Sequence, residues 1–138
     1  VFVRRSAREA GQQRNLLEER LQTGQRLLIF PEGTSTDGQR ILPFKSTLFA
    51  ALYSERLRGL AVQPVSVAYT APDSLDPRFF GWWGDMDFGP HLLQVLGAPR
   101  GGEVSVTWHK PLQVDDFPNR KSLSAAAERL VRSAHPRG

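Results

Sequence analysis

The sequence predicts an α/β fold: a single domain with a central mixed, mostly parallel sheet flanked by helices. A short, continuous apolar run at residues 27–30 is typical of a strand buried on both faces of a parallel sheet, and residues 61–69 indicate another buried strand. A helical pattern lies between them, and the order strand, helix, strand predicts a right-handed crossover. The length of 138 residues fits one domain with one core.

The first predicted elements are a helix and a buried strand. A helix is expected over residues 7–23, because Ser6 and Glu9 fit a capping box and Gly24 suits the position after a helix end. The strand at residues 27–30 is closed by Pro31, which cannot donate a backbone hydrogen bond. A loop of about 15 residues follows, and the second helix begins after it.

Five further elements are expected beyond this loop. They are a helix over residues 46–57, a strand over 61–69, a short helix over 91–96, a strand over 103–109 and a last helix over 120–134. In the strand at 103–109, Val104, Val106 and Trp108 alternate with polar residues, so the apolar side should be the buried one.

The composition favours an anionic partner. Eighteen basic residues against fourteen acidic ones give a net charge of +4, and fifteen of the basic residues are arginine, whose planar fork suits phosphate. The sequence shows no helix-turn-helix spacing, RNP-like aromatic pair or zinc finger, so we expect no nucleic-acid partner. The apolar runs are too short to cross a bilayer, so any membrane contact is expected to be peripheral.

The segment from Phe30 to Thr36 is the first candidate site. It follows a predicted buried strand, and α/β proteins place their sites at the carboxyl ends of such strands. Gly33 allows a ligand to approach the backbone, and the amides and hydroxyls after it can surround an anion. From spacing alone, an ordinary turn with a solvated Glu32 is the alternative.

This segment closely resembles the Phe-Pro-Glu-Gly-Thr block of the glycerolipid acyltransferases, the family of the lysophosphatidic acid acyltransferases. Residues 1–5 are similar to the family's upstream strand ending in arginine, and residues 62–65 to its Val-x-Pro-Val block. Residues 42–46 and 83–86 resemble bacterial members that include lyso-ornithine lipid acyltransferases. The resemblance therefore covers nearly all of residues 1–138, as one acyltransferase domain.

The resemblance implies transfer of a fatty acyl group from acyl carrier protein or acyl-CoA to the free hydroxyl of a lysolipid, forming phosphatidic acid from lysophosphatidic acid. Lyso-ornithine lipid is the alternative acceptor, and a non-catalytic module that binds anionic lipid is the alternative from another class. No metal or redox cofactor is implied. The implied location is peripheral, at the cytoplasmic face of the inner membrane.

The family's catalytic base is the histidine of a His-x4-Asp block, in which histidine takes the hydroxyl proton and aspartate orients the ring. Neither His91 nor His109 is followed by aspartate at this spacing, and His135 lies near the end of the sequence. We therefore assign no catalytic residue within residues 1–138. We expect the block upstream of Val1, in an N-terminal part that this sequence lacks, and we expect the chain alone to be inactive.

The resemblance also implies an acceptor-binding set. Its members are Arg5, Glu32, Gly33, Thr34, Ser35 and Pro64. Arg5 is expected beside the acceptor's phosphate, Glu32 on a head-group hydroxyl, and Pro64 in the pocket wall. Ser35 stands where most family members have arginine, so one phosphate-binding charge is missing and loose head-group selectivity is expected.

The region at residues 79–87 holds several other residues that invite a functional interpretation. The aromatics at 79–83 favour a membrane-interface belt, a wall for an acyl chain, or an ordinary loop packed over the core. Asp85 and Asp87 fit neither a phosphatase nor a calcium-loop spacing, and they are expected to be turn and helix-capping acids. His91 is expected to be a structural histidine at a helix start.

Overall fold

The structure is a computed structural model that describes residues 7–98 and 101–136, with side chains from residue 15 onward. In chain order, the elements are α1 (Ala7–Gln22), a first 3₁₀ helix (Ser46–Tyr53), β1 (Ala61–Val62), β2 (Val65–Thr70), α2 (Phe88–Leu96), β3 (Glu103–Trp108), β4 (Leu112–Gln113), a second 3₁₀ helix (Val114–Asp116) and α3 (Arg120–Ser133). The predictions for Arg5, for Ser6 and for a strand at residues 1–5 lie outside the described residues.

The predicted first and last helices are confirmed to within a residue at each end. Helix α1 ends where Gly24 adopts a φ of +76°, a left-handed conformation that glycine reaches without strain. At the other end of the chain, the side chain of Asn119 accepts hydrogen bonds from the amides of Lys121 and Ser122, at 2.9 and 3.1 Å, and so caps α3.

Mixed helices and strands fit the predicted α/β class, but the described residues do not contain a central, mostly parallel sheet. They form two separate two-stranded sheets, β1 with β4 and β2 with β3, and both pairs are antiparallel. Residues 27–30 form no strand there, and Leu28 and Phe30 are 81% and 75% exposed. An apolar run does not specify a hydrogen-bonding partner, and here it does not specify burial either.

The predicted strand at residues 61–69 is two strands. It divides after Val62, since Pro64 has no amide proton for a ladder. The predicted second helix is also shorter than expected and of 3₁₀ type, ending at Tyr53.

The buried side of β3 was predicted wrongly. The register places Val106 opposite Val67 and Val104 opposite Tyr69, so these four side chains share one face, which is exposed. Helix α3 packs on the other face of β2, where Ser66 is buried.

The core forms where α3 covers the first 3₁₀ helix. Its buried members are Phe49, Leu52, Val114, Leu123 and Ala127, and Leu123 has no exposed surface. Helix α3 also reaches the loop at residues 31–45, because Glu128 Oε2 accepts a hydrogen bond of 2.9 Å from the Phe44 amide. Glu128 Oε1 accepts from Arg132 at 2.9 Å. The loop that carries the candidate site is thus attached to the best-packed helix of the domain.

Candidate functional site

The predicted site begins in a tight turn. The amide of Gly33 donates to the carbonyl oxygen of Phe30 at 3.1 Å, and Gly33 has a φ of +70°. The amide of Lys45 donates to the Pro31 carbonyl at 2.8 Å, which joins the two ends of the loop. Residues 31–45 therefore form a loop closed at its base, and the turn needs glycine at position 33.

Glu32 is not the solvated carboxylate of an ordinary turn. Its Oε2 accepts a hydrogen bond of 2.6 Å from the Leu42 amide, on the far side of the loop, and its side chain is half-buried. Its Oε1 has no hydrogen-bond partner among the described residues. One carboxylate oxygen thus fixes the loop, and the other is available to a ligand.

Gly33 lies directly beneath the side chain of Lys45. A Cβ atom at position 33 would be 2.8 Å from Lys45 Nζ and 3.0 Å from its Cδ, so any other residue would displace the lysine. Within the described residues, no carboxylate forms an ion pair with Lys45. Sequence reasoning did not identify this lysine as a site residue. The available signal was its place among only three lysines, in a block that already resembled the family.

The remaining predicted residues differ in how closely they adjoin this turn. Thr34 and Ser35 follow Gly33 directly and are exposed, with no side-chain hydrogen bond to the described part of the chain. Pro64 is buried between β1 and β2, where its carbonyl oxygen accepts from the His109 amide at 3.0 Å. No hydrogen bond of the described residues joins Pro64 to the turn.

Neither of two cavities found in the described part of the chain is lined by residues 32–35. The larger, of about 690 Å³, lies between α1 and the end of the first 3₁₀ helix. The smaller, of about 440 Å³, adjoins the middle of the loop and the end of β2, and is lined by residues that include Gly38, Gln39, Tyr69 and His135. The turn itself lies at the surface, since Gly33, Thr34 and Ser35 are exposed.

Ser66 and His109 form a hydrogen-bonded pair that resembles a nucleophile and its base, but the geometry excludes that role. The Ser66 hydroxyl donates its proton to the Val131 carbonyl at 2.7 Å, and its oxygen lies 2.7 Å from His109 Nε2. Because the hydroxyl proton is already used, Nε2 must carry the proton and donate it to Ser66. Ser66 is 2% exposed, so the pair is structural.

His91 and Asp87 lie at the start of α2. His91 lies in the first turn of α2, as predicted, and its Nδ1 is buried without a hydrogen-bond partner in the described structure. Asp87 precedes α2 as its N-cap residue, but its side chain makes no capping hydrogen bond, contrary to our expectation. Among the described residues, no group of three or more histidine or acidic side chains is arranged to hold a metal ion.

The aromatic loop at residues 72–84 packs against the loop that carries the turn. Gln39 Nε2 donates to the Pro77 carbonyl at 2.8 Å. Gly81 approaches Asp37 so closely that a Cβ would be 2.6 Å from its carbonyl oxygen. Within the aromatic loop, hydrogen bonds from Arg78 lower the pKa of Asp76 to about 2. The aromatic loop is thus ordered, and it supports the loop of the site.

An exposed apolar surface follows the aromatic loop. Helix α2 has no buried residue, and Phe88, Leu93 and Leu96 are 57%, 71% and 72% exposed. Trp82 is also exposed and packs edge-on against Phe88, with ring centroids 5.4 Å apart. None of the helices in the described part of the chain combines the length and apolar character that crossing a bilayer requires.

Comparison with known proteins gives a consistent result. Residues 1–68 match the sequence model of a family described as Acyltransferase. A lyso-ornithine lipid O-acyltransferase of Rhodobacter capsulatus is 57% identical over 134 residues, covering 96% of this chain and 49% of that protein. A protein of the same name from Brucella abortus is 37% identical over 145 residues, covering 96% of this chain and 53% of its own length.

A human protein, lysophospholipid acyltransferase LPCAT4, is 39% identical over 70 residues, which cover 51% of this chain and 11% of that protein. This chain spans about half the length of the bacterial relatives that it matches. No solved structure gave a significant match to it.

Replacing Glu32 by alanine should loosen the loop. The Leu42 amide would lose its charged acceptor, and we expect the protein to be about 1 to 3 kcal/mol less stable to urea unfolding, with faster hydrogen exchange at Leu42. Glu32→Gln keeps an acceptor oxygen, so its loss of stability should be clearly smaller. Glu55→Ala, at an exposed position, is the matched control. Unchanged exchange at Leu42 in Glu32→Ala would show that this bond does not hold the loop.

Ser66→Ala should destabilise the protein, because Ser66 has a structural role and is not a nucleophile. The substitution leaves the Val131 carbonyl and the His109 Nε2 proton unpaired, at a cost of about 1 to 3 kcal/mol in chemical unfolding. Ser105→Ala, on the exposed strand β3, should be nearly neutral. A fluorophosphonate probe should leave Ser66 of the native protein unlabelled, and labelling there would contradict the structural assignment.

Proposed function

This chain belongs to the acyltransferase family, and we propose that the protein carrying it transfers a fatty acyl group to the free hydroxyl of a lysolipid. The observation that carries the proposal is the 57% identity to a lyso-ornithine lipid O-acyltransferase over 96% of this chain. In the reaction, the lysolipid hydroxyl attacks a thioester carbonyl, its proton passes to a base, and the thiol leaves. Acyl carrier protein and acyl-CoA are the donor classes proposed.

Lyso-ornithine lipid is the proposed acceptor. The two bacterial relatives are both named lyso-ornithine lipid O-acyltransferases, which supports this acceptor over lysophosphatidic acid. The family match alone does not distinguish the two acceptors. Ser35 supports it too, because an arginine at this position would favour a phosphate monoester over an acceptor that carries a carboxylate.

The proposed acceptor site is the Glu32 turn. Glu32 Oε1 would accept a hydrogen bond from the head group, Gly33 leaves room for the Lys45 side chain above the turn, and Thr34 and Ser35 present exposed hydroxyls. Arg5 and Pro64 belong to the proposed site through the family resemblance. The base is proposed to be the histidine of a His-x4-Asp block upstream of Val1, since His109 is engaged with Ser66.

The acceptor choice can be tested with the purified full-length protein that contains this chain. We expect acyl transfer from a long-chain acyl thioester to both lysolipids, with a kcat/KM for lyso-ornithine lipid about tenfold or more above that for lysophosphatidic acid. Measurable transfer to lyso-ornithine lipid with none to lysophosphatidic acid would support the proposal equally. A preference for lysophosphatidic acid would overturn the acceptor choice, and transfer to neither would overturn the proposed activity.

The proposal includes a location, peripheral to the cytoplasmic face of the inner membrane. A water-insoluble acceptor must be taken from a lipid surface, and the exposed apolar residues of α2 with Trp82 are suited to the boundary between lipid and water. The net charge of +4 favours an anionic surface. We assign the membrane contact to α2.

An environment-sensitive fluorophore tests this contact. In a full-length protein freed of other cysteines, NBD attached at Leu93→Cys should shift to the blue when vesicles of phosphatidylethanolamine and phosphatidylglycerol are added. The same label at Arg58→Cys, an exposed position outside α2, is the control. Equal spectra at position 93 with and without vesicles would remove α2 from the membrane contact.

A further inference from the structure

Lys45 is held in one place by its backbone. Its amide donates to Pro31 at 2.8 Å, and its carbonyl oxygen accepts from Leu48 at 3.0 Å. The neighbouring amide of Phe44 is bound to Glu128 of α3. These bonds fix the point from which the lysine side chain extends across Gly33. A side chain that starts from a fixed point loses less conformational freedom when it binds a ligand.

The charge of Lys45 is not neutralised by the rest of the described structure. Three arginines there form ion pairs, Arg56 with Glu18, Arg78 with Asp76 and Arg132 with Glu128. Glu32, which adjoins Gly33 beneath the lysine, directs one oxygen at the Leu42 amide instead. An ammonium group without a carboxylate partner thus lies over Gly33, the residue that directly precedes the exposed, hydroxyl-bearing Thr34 and Ser35.

We propose that the Lys45 ammonium, together with the hydroxyls of Thr34 and Ser35, binds the oxyanion of the acceptor lipid's head group. The inference rests on the proposed function and assigns a specificity residue to the same site. A lysine is a compact charge with three donors, so it binds a carboxylate or a phosphate oxygen without the paired geometry of arginine. Lys45 would therefore supply a positive charge in place of the arginine that most family members have at position 35.

The conformation of Gly33 adds a second constraint. At a φ of +70°, any other residue is strained, and its Cβ would occupy the space of the Lys45 side chain. Gly33→Ala should thus both strain the turn and move Lys45. Its effect on the KM for charged acceptors should be smaller in a protein that already lacks the lysine.

The test compares three acceptors in the full-length protein: lyso-ornithine lipid, lysophosphatidic acid and an uncharged monoacylglycerol. Lys45→Met should raise the KM for both charged acceptors about tenfold, the size of one lost charge-assisted contact, and should leave the KM for the thioester donor within about twofold. The two charged acceptors separate carboxylate binding from phosphate binding, and the larger change identifies the preferred oxyanion. Turnover of monoacylglycerol should not change.

Lys45→Arg should retain most of the affinity for charged acceptors, and Lys121→Met, which removes another exposed lysine at the start of α3, should be silent. Lys45→Gln provides a second neutral variant, and thermal unfolding verifies that each variant is folded. An unchanged KM for charged acceptors, or an equal rise for monoacylglycerol, overturns the role of Lys45 in an active enzyme. Absence of transfer by the wild type overturns the proposed function, and the Lys45 assignment with it.

Discussion

The hydrogen bond between the Glu32 carboxylate and the Leu42 amide is the interaction on which the candidate site depends. It crosses a loop whose ends are already joined by the Lys45 amide and the Pro31 carbonyl. The loop is in turn fixed to α3 through Glu128. A carboxylate that accepts from an amide in a half-buried position contributes more than a surface ion pair would, because both groups have left water. The turn at Gly33 is therefore held by bonds from three directions.

Local signals were sufficient to predict the first and last helices, and they failed for the sheet. Helix α1 ends before Gly24 and α3 begins after Asn119, and each boundary is set by a residue that a reader of the sequence can recognise. Strand pairing depends on partners far away in the chain, such as β2 with β3. An apolar run such as residues 27–30 does not identify the strand that it would pair with, so the pattern alone could not place it in a parallel sheet.

The site shows the same division between near and distant information. Glu32, Gly33, Thr34 and Ser35 are adjacent in sequence, and the turn could be identified from those residues and their resemblance to a family block. Lys45 lies 12 positions after Gly33, and its contact exists only because the loop closes and glycine has no Cβ. No periodicity or motif spacing encodes such a contact. Pro64 is the opposite case: it was predicted to belong to the site from the family resemblance alone, and no hydrogen bond of the described residues joins it to the turn.

Electrostatics explain why this turn is suited to an anion even though it contains an acid. If Glu32 paired with Lys45, the two charges would cancel and the turn would be nearly neutral. The amide of Leu42 satisfies the carboxylate oxygen instead, so the negative charge is partly balanced by a backbone dipole and the ammonium stays available. The position of one backbone amide thus separates two roles, loop closure by the glutamate and anion binding by the lysine. The hydrogen bond that closes the loop thus leaves the lysine's charge available to the acceptor.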